Sequence, residues 1–370
     1  MIVLAIFIGI YCVLIGLLII GFDRMPYYKF QEQKAQTGFS VIIPFRNEAA
    51  HLNDLLKSIQ ELNYPNEWVE FILVDDASSD QSQEIINSYT IKNLRSIQNK
   101  RFSGSPKKDA ITTAISEAKH SWIITTDADC TFPKNWLAVY NQYLIENKCN
   151  MLVAPVSYHK NKGFFKEFQF VDFLSLQGAT VGGFGWQKPF LCNGANLVYK
   201  KDVFEQLNGF DTNNTIASGD DFFLLESFLT QDKVKVHYLK SREALVKTNA
   251  VDSLKQLINQ RVRWAAKSTH YNLVEAKIIG LFVLLANASL LTLPFFILSD
   301  LIAMKVSLVL FLCKCSIDLI LLFKTAQMME QKIDFPSYVL SCFLYPFFSC
   351  YVVLRATLGN YQWKDRVFKK

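Results

Sequence analysis

The chain has 370 residues, of which 51% are hydrophobic and 14% aromatic, and a formal net charge of +6. That length allows one large domain or two smaller ones. Lys and Arg are scattered rather than clustered, which argues against a nucleic-acid partner, and the excess beside apolar segments suits lipid headgroups instead. The first element, Ile2 to Phe22, carries no charged residue and as a helix reaches about 30 Å, one bilayer core. It reads as an uncleaved anchor: no Lys or Arg precedes it, it exceeds a signal h-region, and no Ala-x-Ala site follows. Arg24, Lys29 and Lys34 come next, so the positive-inside rule puts the middle of the chain in the cytosol.

Phe39–Phe45 (FSVIIPF) is an apolar, β-branched run of the kind that forms a buried parallel strand. A helical stripe follows, with Leu52, Leu55, Leu56 and Ile59 at 3-and-4 spacing. Val69–Val74 predicts a second strand ending in Asp75-Asp76, and Ser79-Asp80 with Glu84 marks another helix start. Trp122–Thr126 predicts a further strand ending at Asp127. Alternating strands and helices imply a doubly wound α/β sheet, whose ligands bind beyond the carboxyl ends of the strands.

The acidic strand ends each admit two readings. Asp127-Ala128-Asp129 places two carboxylates where both can approach Mg²⁺ or Mn²⁺, or it forms an ordinary turn. The carboxylates of Asp75-Asp76 can accept from a nucleoside, or they serve a turn and helix cap. Ser218-Gly219-Asp220-Asp221 precedes the apolar run Phe222 to Leu229, as a general base or as a cap. Lys107 and Lys108, after Gly104 and Pro106, face a pyrophosphate or solvent. Gly182-Gly183-Phe184-Gly185-Trp186 suggests a mobile loop with an aromatic tip at an acceptor site, or a packed loop. Gln260-Arg261-Val262-Arg263-Trp264 offers Arg for phosphate and Trp for a sugar face, or an interfacial helix with snorkelling arginines. The five histidines have no ligand spacing. The eight cysteines include no CxxC pair, so reduced thiols are expected.

Three apolar stretches close the chain: Ile278–Ser299, Ala303–Phe323 and Tyr338–Leu354. Lys314 and Asp318 lie four apart and can pair on one helix face; Pro346 can kink the last stretch. Three crossings from the cytosol would put Lys364, Arg366, Lys369 and Lys370 outside, against the charge rule, so one stretch is expected to be re-entrant or interfacial.

In combination and order these segments resemble family 2 glycosyltransferases, the inverting GT-A enzymes. The membrane-bound branch of that family contains cellulose, chitin and hyaluronan synthases and ceramide glucosyltransferase. Val41 to Glu48 is similar to the family's IPxxNE start, and Val74 to Asp80 to its VDDGSxD, with Ala77 in place of glycine. Asp127-Ala128-Asp129 matches its metal motif, Asn193 to Asn196 resembles its GAN segment, and Gly219-Asp220-Asp221 its GED, with Asp220 in place of glutamate. Gln260 to Trp264 fits QxxRW without exception.

The resemblance implies that Asp75 and Asp76 hold the nucleoside, that Asp127 and Asp129 bind metal and diphosphate, and that Asp221 is the base. It makes Arg263 and Trp264 close the site. Pro44, Arg46, Glu48, Lys107, Lys108, Asn193, Gly194, Asp220 and Gln260 join the donor and substrate set. Expected partners are a nucleotide-sugar donor, with UDP favoured over GDP, and a lipid-linked or saccharide acceptor. The expected organisation is an anchor (1–23), a cytosolic GT-A domain with a mixed sheet (24–245), an interfacial segment (246–277), a transmembrane region (278–357) and a basic tail (358–370), in the cell (inner) membrane. Single or limited transfer is favoured over polymer synthesis, since four spans are few for a polysaccharide channel. A silent nucleotide- or glycan-binding scaffold is the reading from another class.

Overall fold

The computed structural model describes every residue except 1, 161, 212–215, 217, 232–234, 268–270, 301–302, 359–360, 364–365 and 369–370, and only the backbone beyond 358. Part of the expected basic tail lies outside the described residues: Lys364, Lys369 and Lys370 fall among those left out. The chain divides into two compact units, Pro26–His159 with Cys192–Asn249, and Met1–Met25 with Lys160–Leu191 and Ala250–Lys370. Residues 160–191, inside the span 24–245, thus belong to the unit that holds the long apolar helices.

Elements are numbered along the whole chain, and α1 (Ile2–Arg24) belongs to the helical unit. The α/β unit begins with β1 (Phe39–Phe45), α2 (Ala49–Gln60), β2 (Val69–Asp75) and α3 (Ser82–Ser88). It continues with β3 (Leu94–Gln98), α4 (Pro106–Glu117), β4 (Trp122–Thr125), α5 (Trp136–Glu146), β5 (Met151–Val153) and β6 (Val156–Tyr158). After α6 (Phe164–Gly185), part of the helical unit, come β7 (Leu197–Lys200), α7 (Lys201–Gln206), α8 (Asp220–Gln231), β8 (Val236–Tyr238) and β9 (Val246–Thr248).

Seven strands form one mixed sheet in the order β3-β2-β1-β4-β7-β5-β8. The pairs β3-β2, β2-β1 and β1-β4 are parallel, and β7 runs antiparallel to both β4 and β5. The central strands are apolar on both faces because both faces are covered; Val41, Ile42 and Ile43 in β1 and Ile72, Leu73 and Val74 in β2 are fully buried. Pro44 is tolerated in a central strand because the β4 ladder ends at Ile42, so no hydrogen bond on that side needs its missing N–H. The predicted stripe of α2 is the buried one: Leu52, Leu55, Leu56 and Ile59 face the sheet.

In the helical unit, α1 buries Ile8, Tyr11, Ile15, Leu18 and Phe22. Their 3-and-4 spacing is a packing seam, while Val3, Ile6, Val13 and Ile20 stay exposed on the other side. The unit adds α9 (Leu254–Ala266), α10 (Val274–Leu298), α11 (Met304–Met328), α12 (Phe335–Leu358) and a hairpin, β10 (Tyr361–Trp363) with β11 (Arg366–Phe368). Among the described residues, α1, α10, α11 and α12 are long and apolar enough to cross a membrane. Each of the last three is a single continuous helix, running through Pro294 in α10 and Pro346 in α12, so none takes the re-entrant form the charge pattern suggested. Lys314 and Asp318 do pair, at 2.8 Å, and Tyr11 of α1 donates to the same carboxylate.

The glycine-rich stretch 182–185 is not a loop. It is the last turn of α6, where small residues let two helices touch. A Cβ on Gly182 would stand 2.5 Å from the Leu18 carbonyl oxygen, and one on Gly185 would overlap Gly21. Trp186 donates its indole N–H to the Leu17 carbonyl at 2.6 Å, under the Arg24 guanidinium 3.6 Å from the ring centre. Gly182→Ala is therefore expected to lower stability by about 2 kcal/mol, because the obstacle is backbone and not a flexible side chain. A detergent-solubilised thermal melt checks this; an unchanged midpoint would remove the close crossing from the account.

Candidate active site

The site is built at the carboxyl ends of the central strands. The loop after β1 and the loop after β2 are stitched together by hydrogen bonds. Arg46 donates to the carbonyl oxygens of Asp76 and Ala77 at 2.6 and 2.8 Å, and the Asn47 side chain accepts from the Ser79 amide. Glu48 donates its amide to the Ser82 hydroxyl. Asp80 accepts from the amides of both Ala49 and Ser82, satisfying orphan donors at two helix starts. Although desolvation opposes it, these bonds hold the Asp80 carboxyl below its ordinary range.

Asp75 is taken up by the turn itself, accepting from the Ser78 amide at 2.8 Å and from Gln98 at 3.3 Å. Asp76 accepts from Asn99 at 2.7 Å, with Arg101 3.6 Å away. Asn99 and Arg101 were not read as site residues, because β3 is a half-buried strand of mixed polarity (LRSIQ) with no periodic signal. Between the carboxylates and Ser78, Ala77 has φ +59°. This left-handed conformation gives the physical reason for a glycine at that position, since a Cβ there is strained. Ala77→Gly is expected to stabilise the fold by about 0.5–1 kcal/mol, the strain relief exceeding the added chain entropy. Urea unfolding of the solubilised protein measures it, and a destabilised variant would contradict the strain.

The acidic cluster forms around Lys107, in the first turn of α4. Its ammonium lies 2.7 Å from Asp127, after β4, and 3.2 Å from Asp220, at the start of α8. Burial alone would lower the Lys107 pKa, but the carboxylates of Asp127, Asp220 and Asp221 raise it well above the ordinary lysine value. Asp221 accepts from the Gly194 amide at 3.2 Å and from the Phe222 amide at 2.7 Å. Gly194 sits in a tight space: a Cβ would meet Asp220 at 3.1 Å and Asp221 at 3.3 Å. The turn carrying Gly194 is held on both sides. Asn193 accepts from the Ala195 amide, and the fully buried Asn196 accepts from Trp136 and Tyr140 while donating to the carbonyls of Pro155 and Ala244. Asn196 thus spends its amide on the fold.

Asp129 accepts from Thr248 at 2.9 Å. Desolvation, and next the neighbouring Asp127 carboxylate, raise its pKa above the ordinary range, with Thr248 and His51 offsetting part of the shift. Two close carboxylates, one of them 40% exposed, are a donor set that a hard cation relieves. Among the described residues no group of three or more His, Cys, Asp or Glu is placed to hold a metal. Two carboxylates are the ligand type that Mg²⁺ or Mn²⁺ takes, and such an ion would draw its remaining ligands from water and diphosphate oxygens.

Lys108 does not join this cluster. It is 1% exposed, donates to the Ile216 carbonyl at 3.0 Å and sits 4.9 Å from the Phe223 ring centre, so a diphosphate has no access to it. Next to it, Asp109 is a residue the sequence reading missed. Fully buried, it accepts from Arg101, the amides of Phe102 and Ser103, and the Ser103 hydroxyl, which fixes the loop before α4. An acid in the first turn after Gly-Ser-Pro was the available signal.

Gln260, Arg263 and Trp264 lie on α9, in the helical unit, and are described there by themselves. A capping box of Ser253 and Gln256 starts that helix. Its apolar face, Val262 and Ala266, packs on Val352 and Ala356 of α12. Arg263 and Trp264 are half-buried. The arginine between them in the motif, Arg261, is buried and not snorkelling: it is 6% exposed and pairs with Asp172.

Residues 40–207 match the family described as "Glycosyl transferase family 2". That stretch, a little under half of the chain, is similar to a family 2 glycosyltransferase domain. Over 201 residues it is 28% identical to the probable glycosyltransferase YdaM of Bacillus subtilis, covering 51% of this chain and 47% of that one. It is 29% identical over 134 residues to the poly(ribitol-phosphate) β-N-acetylglucosaminyltransferase TarS of Staphylococcus aureus, covering 35% of this chain and 23% of TarS. The chain thus spans about half or less of the length of these relatives. The mannosyltransferase PcManGT from Pyrobaculum calidifontis, solved in complex with GDP-Man and Mn²⁺, superposes with a TM-score of 0.59 at 18% identity, over 89% of this chain and 97% of that one. The shared fold is the GT-A type with a mixed sheet.

Proposed function

We propose that the chain transfers a sugar from a nucleotide-diphosphate donor to a lipid-linked or saccharide acceptor at the cytoplasmic face of the cell (inner) membrane, with inversion at the anomeric carbon. The observation that carries this reading is the convergence of Asp127, Asp220, Asp221 and Gly194 around one ammonium, Lys107, from three separate stretches of the α/β unit. Asp221 takes the proton from the acceptor hydroxyl as that oxygen attacks. Lys107 holds a diphosphate oxygen, while Asp76 and the loops braced by Arg46, Asn47 and Glu48 hold the nucleoside. Asp127 and Asp129 hold the cation, which when bound neutralises charge on the leaving diphosphate. Gln260, Arg263 and Trp264 are assigned to donor and acceptor from the QxxRW motif.

UDP is the favoured carrier. PcManGT, which shares the fold, was solved with GDP-Man, so GDP-sugars belong in the panel. Relatives differ in acceptor: one is a 4,4'-diaponeurosporenoate glycosyltransferase of S. aureus, 28% identical over 146 residues. A processive reading is favoured by one match, the poly-β-1,6-N-acetyl-D-glucosamine synthase of Staphylococcus epidermidis, 25% identical over 66% of this chain. Single or limited transfer remains the preferred reading, on the small number of candidate spans.

The test is donor hydrolysis by the full chain in detergent, over a panel of UDP- and GDP-sugars with Mn²⁺ or Mg²⁺, with and without a membrane lipid extract. One donor is expected to be hydrolysed, faster with extract, giving a short product. No turnover of any donor would point to a silent scaffold; a long ladder of products would establish the processive alternative.

A further inference from the structure

The helical unit contains a buried ionic group outside every motif. Asp172, in the middle of α6, is 6% exposed and accepts from Arg261 Nε at 2.5 Å. Tyr345 of α12 hydrogen-bonds to the same carboxylate. Arg261, itself 6% exposed, touches both neighbouring motif residues. Its Nη1 donates to the Gln260 side chain at 2.5 Å, and its guanidinium carbon lies 4.2 Å from the centre of the Trp264 ring. Phe173, next to Asp172, lies 6.4 Å from that ring.

A guanidinium is a rigid plane, and a carboxylate on its edge determines which way its face points. Here the edge goes to Asp172 and the face to Trp264, so the orientation of the indole depends on a residue from a different helix. Attachment of α9 does not require this pair, because Val262, Ala265, Ala266 and Ile258 already pack against Phe348, Val352 and Ala356. Burying an ion pair is also a poor means of gaining stability, since desolvation cancels most of the attraction. Its distinctive effect is to set geometry.

We propose that Asp172 is a positioning residue for the transfer reaction, orienting Gln260 and Trp264 through Arg261. This rests on the reading that the QxxRW residues serve donor and acceptor. Tyr345 hydrogen-bonds to the Asp172 carboxylate and so belongs to the same device.

The test uses the full chain in detergent, labelled with 5-fluorotryptophan, with the Trp264 resonance among six tryptophans assigned by Trp264→Phe. Asp172→Asn is expected to move or broaden the Trp264 resonance alone and to lower acceptor-dependent kcat/KM by about 10²-fold. UDP affinity should stay within about twofold, and Asp172→Glu should recover part of the activity. Arg261→Lys, which keeps the charge but loses the planar fork, should resemble Asp172→Asn. Wild-type transfer by Asp172→Asn, with Trp264→Ala inactive, would overturn the positioning role and leave the motif's role standing. Full transfer by Trp264→Ala would overturn both. Six resonances moving together, with activity tracking the folded fraction, would reduce the pair to a structural clamp and also overturn the proposal.

Discussion

Asp221→Asn is expected to lower transfer by about 10³-fold while the protein still binds its nucleotide. The substitution removes the basic lone pair and little else. Asp221 accepts from the amides of Gly194 and Phe222, one on each oxygen. Asparagine retains one of those acceptors and turns an amide toward the other donor, a cost to stability of about 1–2 kcal/mol. Neither Lys107 nor Asp127 loses its partner. Equilibrium binding of the nucleoside diphosphate, a thermal melt and a transfer assay, run on the same preparation, separate the contributions. Undiminished turnover would remove Asp221 from the chemistry.

Lys107→Met should have the largest effect on the fold near the site. It leaves Asp127, Asp220 and Asp221 without their shared cation. Removing one partner from a buried pair costs about 3–5 kcal/mol; because Asp127 is 40% exposed, water screens part of this, and about 3 kcal/mol is expected near neutral pH. The sign with pH follows from the two shifts. In the wild type, the raised Lys107 pKa contributes stability that is fully present below the unfolded lysine value and is lost only as pH rises through the folded one. In the variant the carboxylates dominate, and the raised Asp129 pKa contributes stability that fades as pH rises. The deficit should therefore shrink as pH falls toward the carboxylate range. It should also shrink with Mn²⁺, which replaces one cation by another. Thermal melts of both proteins from acid to neutral pH, with and without Mn²⁺, measure this. A deficit that stayed constant with pH and metal would show that Lys107 does not neutralise the cluster.

What could be read from the chain alone depended on locality. The strands Phe39–Phe45 and Val69–Val74 announce themselves by composition, and α2 by the spacing of Leu52, Leu55, Leu56 and Ile59, because burial of a strand or a helix face is periodic in sequence. The DxD turn and Gly219-Asp220-Asp221 were legible as types, since a strand end or helix start favours such residues whatever their use. Lys107 and Lys108 were indistinguishable, for consecutive helical residues differ only in which way they point, and that depends on what packs around them. The stretch Gly182 to Trp186 was misread because glycine signals close approach as readily as a turn.

The sequence by itself determined an α/β domain with a stretch similar to family 2 glycosyltransferases, and four helices apolar enough to cross a membrane. Only the tertiary structure decided which polar residues act together. Lys107 gathers Asp127 and Asp220, Asn196 is consumed by the fold, and Asp172 holds Arg261. The physical reason is that electrostatic partnership falls off with distance in space, and a linear pattern carries no record of that distance between segments far apart in the chain.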